Sequence, residues 1–135
     1  QLELTNFGPY RKEVINFTQF DHAPLFLIGG DTGAGKSTLF DAMTVALFAT
    51  TSGDRNVEEM RSTFAGPEDD LTKVTFYFQQ GNHLYRIERV LQQERAKRGG
   101  GTTIQKATAL QEASRSLARS KLIGGHSAGG LDGLK

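Results

Sequence analysis

Gly30-Asp31-Thr32-Gly33-Ala34-Gly35-Lys36-Ser37 has the spacing GxxxxGK[ST], and the rest of the chain is best interpreted outward from it. Its glycines permit backbone dihedrals that are closed to other residues, and they leave backbone N–H groups uncovered. Such a loop can curl around a phosphate chain, with the lysine reaching the β- and γ-phosphates and the hydroxyl coordinating Mg²⁺. The pattern therefore predicts a Walker A phosphate-binding loop at 30–37.

The segments on either side of the loop are predicted to form the strand and the helix that flank a phosphate-binding loop. The apolar run from Pro24 to Ile28 predicts a buried strand, and Thr38 to Phe48 predicts a helix. The positive end of the helix dipole would then face the phosphates. The helix is amphipathic, and the residues predicted near one face are Leu39, Met43, Ala46 and Leu47.

The predicted nucleotide site follows from these assignments. Lys36 is expected to supply the catalytic positive charge, and Ser37 is expected to bind the metal ion. Thr38 is expected to face the α- or β-phosphate. The full set of predicted phosphate contacts is Gly30, Asp31, Thr32, Gly33, Ala34, Gly35, Lys36, Ser37 and Thr38.

Composition limits the class of protein. The chain has 135 residues, of which 37% are apolar and 23% charged, with a net charge of +1. The absence of cysteine excludes disulfides and thiolate metal sites. No apolar run reaches membrane-spanning length and no secretory leader is visible, so we expect a cytoplasmic protein without a membrane partner. The three histidines have no metal-ligand spacing.

Alternating patterns predict strands around this centre. Breakers at Gly8-Pro9 and Gln80 to His83 predict hairpin turns. The predicted strands are 1–7, 12–17, 71–78, 84–90 and 102–110, and a short helical turn is predicted within 57–64. We expect a nucleotide-binding lobe at 1–110. Residues 111–135, rich in Ser, Ala and Gly, are expected to form a tail that is flexible or foreign to the lobe, with a short basic helix at 116–123.

Several of these features together resemble one family. Asn6-Phe7 at the end of the first strand, the basic pair Arg11-Lys12, and the run from Ile28 to Ala42 resemble the N-terminal ATPase lobe of SbcC-type proteins. These belong to the structural-maintenance-of-chromosomes branch of the ABC ATPases and act in bacterial DNA double-strand-break repair. The strands around Phe76 and Ile87 resemble the β-subdomain of that family. The resemblance covers about residues 1–110.

The resemblance carries expectations that the residues alone do not. It implies an α/β P-loop NTPase fold of ABC type, with a mixed sheet and an antiparallel β-subdomain. It implies ATP and Mg²⁺ as cofactors, and ATP binding and hydrolysis that control DNA end processing. The implied partners are a C-terminal ATPase lobe of the same protein, an SbcD-like nuclease, a second copy in a head-to-head dimer, and double-stranded DNA. The implied location is the cytoplasm, at the nucleoid.

The chain also departs from the family pattern. No Walker B run, signature motif or heptad segment follows Leu91, so we expect half an active site. Such a fragment should hydrolyse ATP poorly by itself.

Three basic residues are further candidates for the nucleotide. The resemblance places Arg11 and Lys12 near the nucleotide and Arg61 near its base, whereas the alternative for each is an exposed charge. Asp41 is expected to support the loop or to cap locally. The basic, glycine-rich stretch 94–101 could follow a DNA backbone, although a solvated hairpin tip is the favoured interpretation because no aromatic residues are interleaved.

Two alternative functions stay open. The first is an ABC transporter subunit, in which Tyr10 would be the aromatic residue that stacks on adenine. The second is a non-catalytic docking module for chromosomes, held together by nucleotide.

Overall fold

Seven strands and one α-helix form the part of the chain that the computed structural model describes, residues 1–22 and 25–115. The strands are β1 (Leu2–Phe7), β2 (Tyr10–Ile15), β3 (Lys73–Gln80), β4 (His83–Val90), β5 (Gln93–Ala96), β6 (Thr102–Gln105) and β7 (Thr108–Arg115). The helix α1 spans Lys36–Phe48, and 3₁₀ turns lie at Phe17–Phe20 and Val57–Met60. The predicted helical turn within 57–64 is therefore confirmed.

The main sheet has the strand order β2-β1-β3-β4-β7, with every neighbouring pair antiparallel. The predicted hairpins β1–β2 and β3–β4 are confirmed, with Phe7 opposite Tyr10 across the Gly8-Pro9 turn. Leu2 and Leu4 alternate with half-buried polar residues and point into the core, as period-2 patterning requires. They belong to the same hydrophobic core as the buried residues of α1.

Helix α1 packs its small residues against β1, β3 and β4. The buried residues are Thr38, Leu39, Asp41, Ala42, Val45 and Ala46. The predicted face was correct for Leu39 and Ala46, whereas Met43 and Leu47 are only half-buried. Ala42 and Ala46 have little side chain, so the helix can approach the sheet closely along their side.

The predicted strand before the loop is not formed within the described residues. Residues 25–30 pair with no strand, and Leu25 and Leu27 are 86% and 93% exposed. The prediction of a mixed sheet is therefore wrong for the described residues, whose strand pairs are all antiparallel. An apolar run becomes a buried strand only where neighbouring strands and a covering layer exist. Beside residues 25–28 the described ranges supply no neighbouring strand, and the contacts of Phe26 with Phe17 and Phe20 leave Leu25 and Leu27 exposed.

The region after β4 contains more strands than predicted. The expected strand at 102–110 is two strands: β6 pairs with β5 in a separate hairpin, and β7 pairs with β4. Strand β7 continues to Arg115, so the predicted boundary at residue 110 falls within a strand. Residues 116–135, with the helix predicted at 116–123, lie outside the described residues.

Candidate nucleotide-binding site

The glycine loop joins the unpaired segment 25–30 to the first turn of α1. Gly33 and Gly35 have φ values of +86° and +89°, which an L side chain adopts only with strain. Gly35 is the N-cap of α1 and offers no side chain to the first-turn N–H groups. Those backbone donors have no intrahelical partner, so the helix begins with a concentrated partial positive charge.

The lysine of the motif folds back over the loop. Its ammonium Nζ donates to the carbonyl oxygens of Gly30 and Asp31, both at 2.5 Å. These bonds place a positive charge over the start of the loop, whose last two residues are the first two of α1. A cation, a glycine-rich backbone and a helix N-terminus are thus combined within eight residues of sequence.

A cavity of about 700 Å³ lies beside the loop. Its lining includes the predicted residues Thr32, Gly33, Gly35, Lys36, Ser37 and Thr38. Ser37 is exposed, so its hydroxyl is accessible to a ligand, while Thr38 is 5% exposed and its side chain lies against Gly8 of the first hairpin. Gly30, Asp31 and Ala34 belong to the loop but are absent from this lining.

These residues fit a nucleoside triphosphate with Mg²⁺. The uncapped N–H groups and Lys36 would take the phosphate oxygens, and Ser37 would supply a hydroxyl oxygen to the metal ion. The described ranges contain no group of three or more His, Cys, Asp or Glu side chains placed to hold a metal.

The three basic candidates outside the loop have contacts elsewhere. The Arg11 guanidinium lies 4.6 Å from the centre of the Phe64 ring, and Lys12 is exposed on β2 opposite Thr5. Arg61 donates to the side chains of Thr72 and Gln93 and to the Gly66 carbonyl. None of the three lines the loop cavity, and their roles as nucleotide contacts stay predictions.

Asp41 contacts the segment after α1, at Ser52 and Arg55, rather than the glycine loop that it was expected to support. It is 2% exposed, and its carboxylate accepts from the backbone and hydroxyl of Ser52 and pairs with Arg55 at 2.8 Å. Arg55 also lines the loop cavity, together with Pro9 and Phe40. Sequence reasoning missed Arg55, because nothing in its polar surroundings indicated a partner 14 residues earlier.

The sequence suggests Tyr10 only as an adenine-stacking residue of a transporter subunit, but its hydroxyl donates to the Gly35 carbonyl at 3.1 Å. Burial, and secondarily the charge of Glu13, raise the pKa of Tyr10 above its ordinary value. The phenol therefore stays protonated at neutral pH and remains a donor. Local spacing carried no signal for this contact, because Gly35 lies 25 residues from Tyr10 in the sequence.

No helix among the described residues has the length and apolar content that a membrane span requires.

Comparisons with known proteins agree with the loop and its surroundings. A family model described as "AAA domain" matches residues 1–125. The chain is 62% identical over 109 residues to the SbcC subunit of the nuclease SbcCD from Lactococcus lactis subsp. lactis (strain IL1403), covering 80% of this chain and 10% of that protein. The corresponding proteins from Staphylococcus aureus strains MRSA252 and JH9 are 47% and 46% identical over 89 residues, each covering 65% of this chain and 9% of the relative.

The chain spans about a tenth of the length of these curated relatives. The glycine loop, the uncapped start of α1 and the extent of the family match lead to one conclusion: the chain belongs to the AAA domain family, as an SbcC-type segment.

Proposed function

We propose that this chain is the ATP-binding lobe of the ATPase subunit of an SbcCD-like nuclease in DNA double-strand-break repair. The observation that carries the proposal is the loop at 30–37, where Lys36 lies across the Gly30 and Asp31 carbonyls at the uncapped start of α1. The names of the relatives support the nuclease context, and they do not favour a transporter.

The residues of the chain suggest how this lobe would contribute to hydrolysis. Lys36 and the N–H groups of the first turn would hold the phosphates and stabilise the charge that develops during phosphoryl transfer. Ser37 would orient Mg²⁺, which supplies further charge neutralisation when bound. The group that positions the attacking water is expected from the C-terminal lobe of the same protein.

The fold suggests where that lobe would attach. Leu25 and Leu27 are almost fully exposed in a segment directly before the loop. We propose that a C-terminal ATPase lobe, as in ABC-type heads, covers this segment and completes the sheet. The remaining partners in the proposal are an SbcD-like nuclease, a second head and double-stranded DNA, in the cytoplasm at the nucleoid.

The direct test is nucleotide binding by Lys36→Ala. This substitution removes the cation of the loop and should weaken ATP binding at least about 100-fold, because charged hydrogen bonds to phosphate are lost. Lys97→Ala, on the exposed turn between β5 and β6, is a matched control that should leave the affinity unchanged. The measurement is equilibrium titration with a fluorescent ATP analogue. Unchanged affinity in Lys36→Ala would mean that the site is wrongly assigned.

A second measurement separates the functional alternatives. The C-terminal half of the protein is added in trans, and ATP turnover is followed with and without linear DNA. Turnover that rises with DNA supports the repair function. Turnover that ignores DNA would point to a transporter-type head, and binding without turnover would point to a docking module.

A further inference from the structure

The turn of the first hairpin lies directly against the glycine loop. A Cβ added to Gly35 would lie 2.6 Å from Pro9 Cγ and 2.9 Å from the Tyr10 hydroxyl. A Cβ added to Gly8 would lie 2.5 Å from Thr38 Cγ2. Real Cβ atoms do not approach other heavy atoms so closely, so both glycines allow a contact that larger residues would separate.

The hairpin turn is also held by hydrogen bonds to residues 60–62. The Gly8 N–H donates to the Met60 carbonyl at 2.7 Å, and the Ser62 hydroxyl donates to the Gly8 carbonyl at 2.6 Å. The Tyr10 ring packs against the hydrophobic core. The turn therefore forms a fixed surface on which the loop rests.

Tyr10 makes its hydrogen bond to the peptide unit that joins Gly35 to Lys36, where α1 begins. Its hydroxyl donates to the carbonyl oxygen of Gly35 at 3.1 Å. That carbonyl and the N–H of Lys36 belong to one planar trans peptide, in which the two groups point in opposite directions. Holding the Gly35 carbonyl toward Tyr10 thus aims the Lys36 N–H away from the hairpin. This N–H is among the first-turn donors that have no partner within the helix.

We infer that Tyr10 is a positioning residue for phosphate binding: its hydroxyl fixes the Gly35–Lys36 peptide so that the Lys36 N–H is preset for a phosphate oxygen. The inference rests on the proposed function, because it assumes that the loop binds phosphate. It assigns to Tyr10 a role different from adenine stacking, since the hydroxyl, rather than the ring face, makes the contact.

The experiment uses Tyr10→Phe in the full-length protein that contains this chain. The variant keeps the ring and its packing but removes the donor. Affinity for Mg-ATP and for inorganic tripolyphosphate should fall by the same factor, about three- to tenfold, as expected for one lost hydrogen bond. Tyr77→Phe is the matched control, because the Tyr77 hydroxyl accepts from Arg86 and does not line the loop cavity. This control should leave both affinities unchanged.

Steady-state kinetics separate positioning from a general structural role. A contact made equally in the ground state and the transition state changes KM and leaves kcat unchanged. We therefore expect Tyr10→Phe to raise KM about three- to tenfold with kcat within about twofold. A lower kcat with unchanged KM would mean either that the contact acts only in the transition state or that less of the variant is folded, and either result would overturn the inference.

Further outcomes distinguish this inference from the proposed function. If Lys36→Ala loses affinity while Tyr10→Phe does not, the positioning role is wrong and the nucleotide site stands. If Tyr10→Phe weakens binding of ATP but not of tripolyphosphate, Tyr10 contacts the nucleoside and the inference fails. If Lys36→Ala itself leaves the affinity unchanged, the proposed function fails first.

Discussion

Asn6, at the end of β1, makes hydrogen bonds to two distant segments, one at Ser62 and one at residues 70–72. Its backbone conformation is unusual. Its φ of +48° is in the left-handed region, which asparagine tolerates better than most residues. The side-chain Nδ2 donates to the Asp70 carbonyl at 2.7 Å, while the backbone carbonyl accepts from the Ser62 N–H and the Thr72 hydroxyl. Asn6 is almost fully buried, so these bonds are shielded from water.

Two substitutions at Asn6 should separate conformation from hydrogen bonding. Asn6→Ala loses the bond to Asp70 and puts alanine, which adopts positive φ only with strain, in place of asparagine, which tolerates it. We therefore expect a loss of about 2–3 kcal/mol in unfolding free energy. Asn6→Gly loses the same bond but suits the backbone, and should be about 1 kcal/mol less destabilised. Urea denaturation measures both. Equal losses of unfolding free energy in the two variants would mean that the left-handed conformation does not affect stability.

The sequence pattern identified Asn6 as a family feature but did not predict its hydrogen-bond partners. Asn6-Phe7 was part of the pattern that predicted the family, but the partner carbonyl at Asp70 is 64 residues away. Contacts at such a separation depend on how the strands assemble, and local spacing contains no information about them. The same limit explains why Tyr10 and Arg55 were not predicted at their actual contacts, which lie 25 and 14 residues away.

At the scale of elements, local patterns predicted existence and type well. The helix after the loop, the hairpins β1–β2 and β3–β4, and the Gly8-Pro9 turn all form as expected. The buried face of α1 was less predictable. Pattern reasoning favoured the large residues Met43 and Leu47, but close approach to the sheet selects a face with smaller side chains, which includes Ala42 and Val45.

Shortening one side chain on each face of α1 should show which face contributes more to the unfolding free energy. Val45 is fully buried in the core, whereas Phe48 is 71% exposed at the end of the helix. We expect Val45→Ala to lower the unfolding free energy by about 2 kcal/mol, since it leaves a cavity against the sheet. Phe48→Ala removes more atoms but should cost no more than about 0.5 kcal/mol. Chemical denaturation of the two variants tests the ranking, and a larger effect at Phe48 would contradict it.

For the whole molecule, the strand before the loop marks the limit of prediction from sequence. The glycine loop and α1 lie where the motif placed them, because their geometry depends on nearby residues. The run at 25–28 was correctly identified as apolar, but Leu25 and Leu27 are exposed. Burial of a strand depends on its neighbours, and this chain spans only about a tenth of its curated relatives. The site is therefore locally predictable, while its surroundings depend on other parts of the protein.

The exposed segment gives a prediction about assembly that rests on the proposed C-terminal lobe. If that lobe covers residues 25–28, Leu27→Lys would bury a charge in an apolar contact. Binding of the C-terminal half in trans should weaken at least about tenfold. The chain itself should keep its melting temperature, because Leu27 is 93% exposed.

Ile104→Lys provides the matched control for this experiment. Ile104 is another exposed aliphatic residue, at 56%, but it lies on the separate β5–β6 hairpin. Its substitution changes charge and hydropathy in the same direction as Leu27→Lys, so the two variants differ mainly in location. We expect the C-terminal half to bind the Ile104 variant as tightly as the unmodified chain, measured by titration of one half with the other. Equal affinities for both variants would show that residues 25–28 are not where the lobes meet.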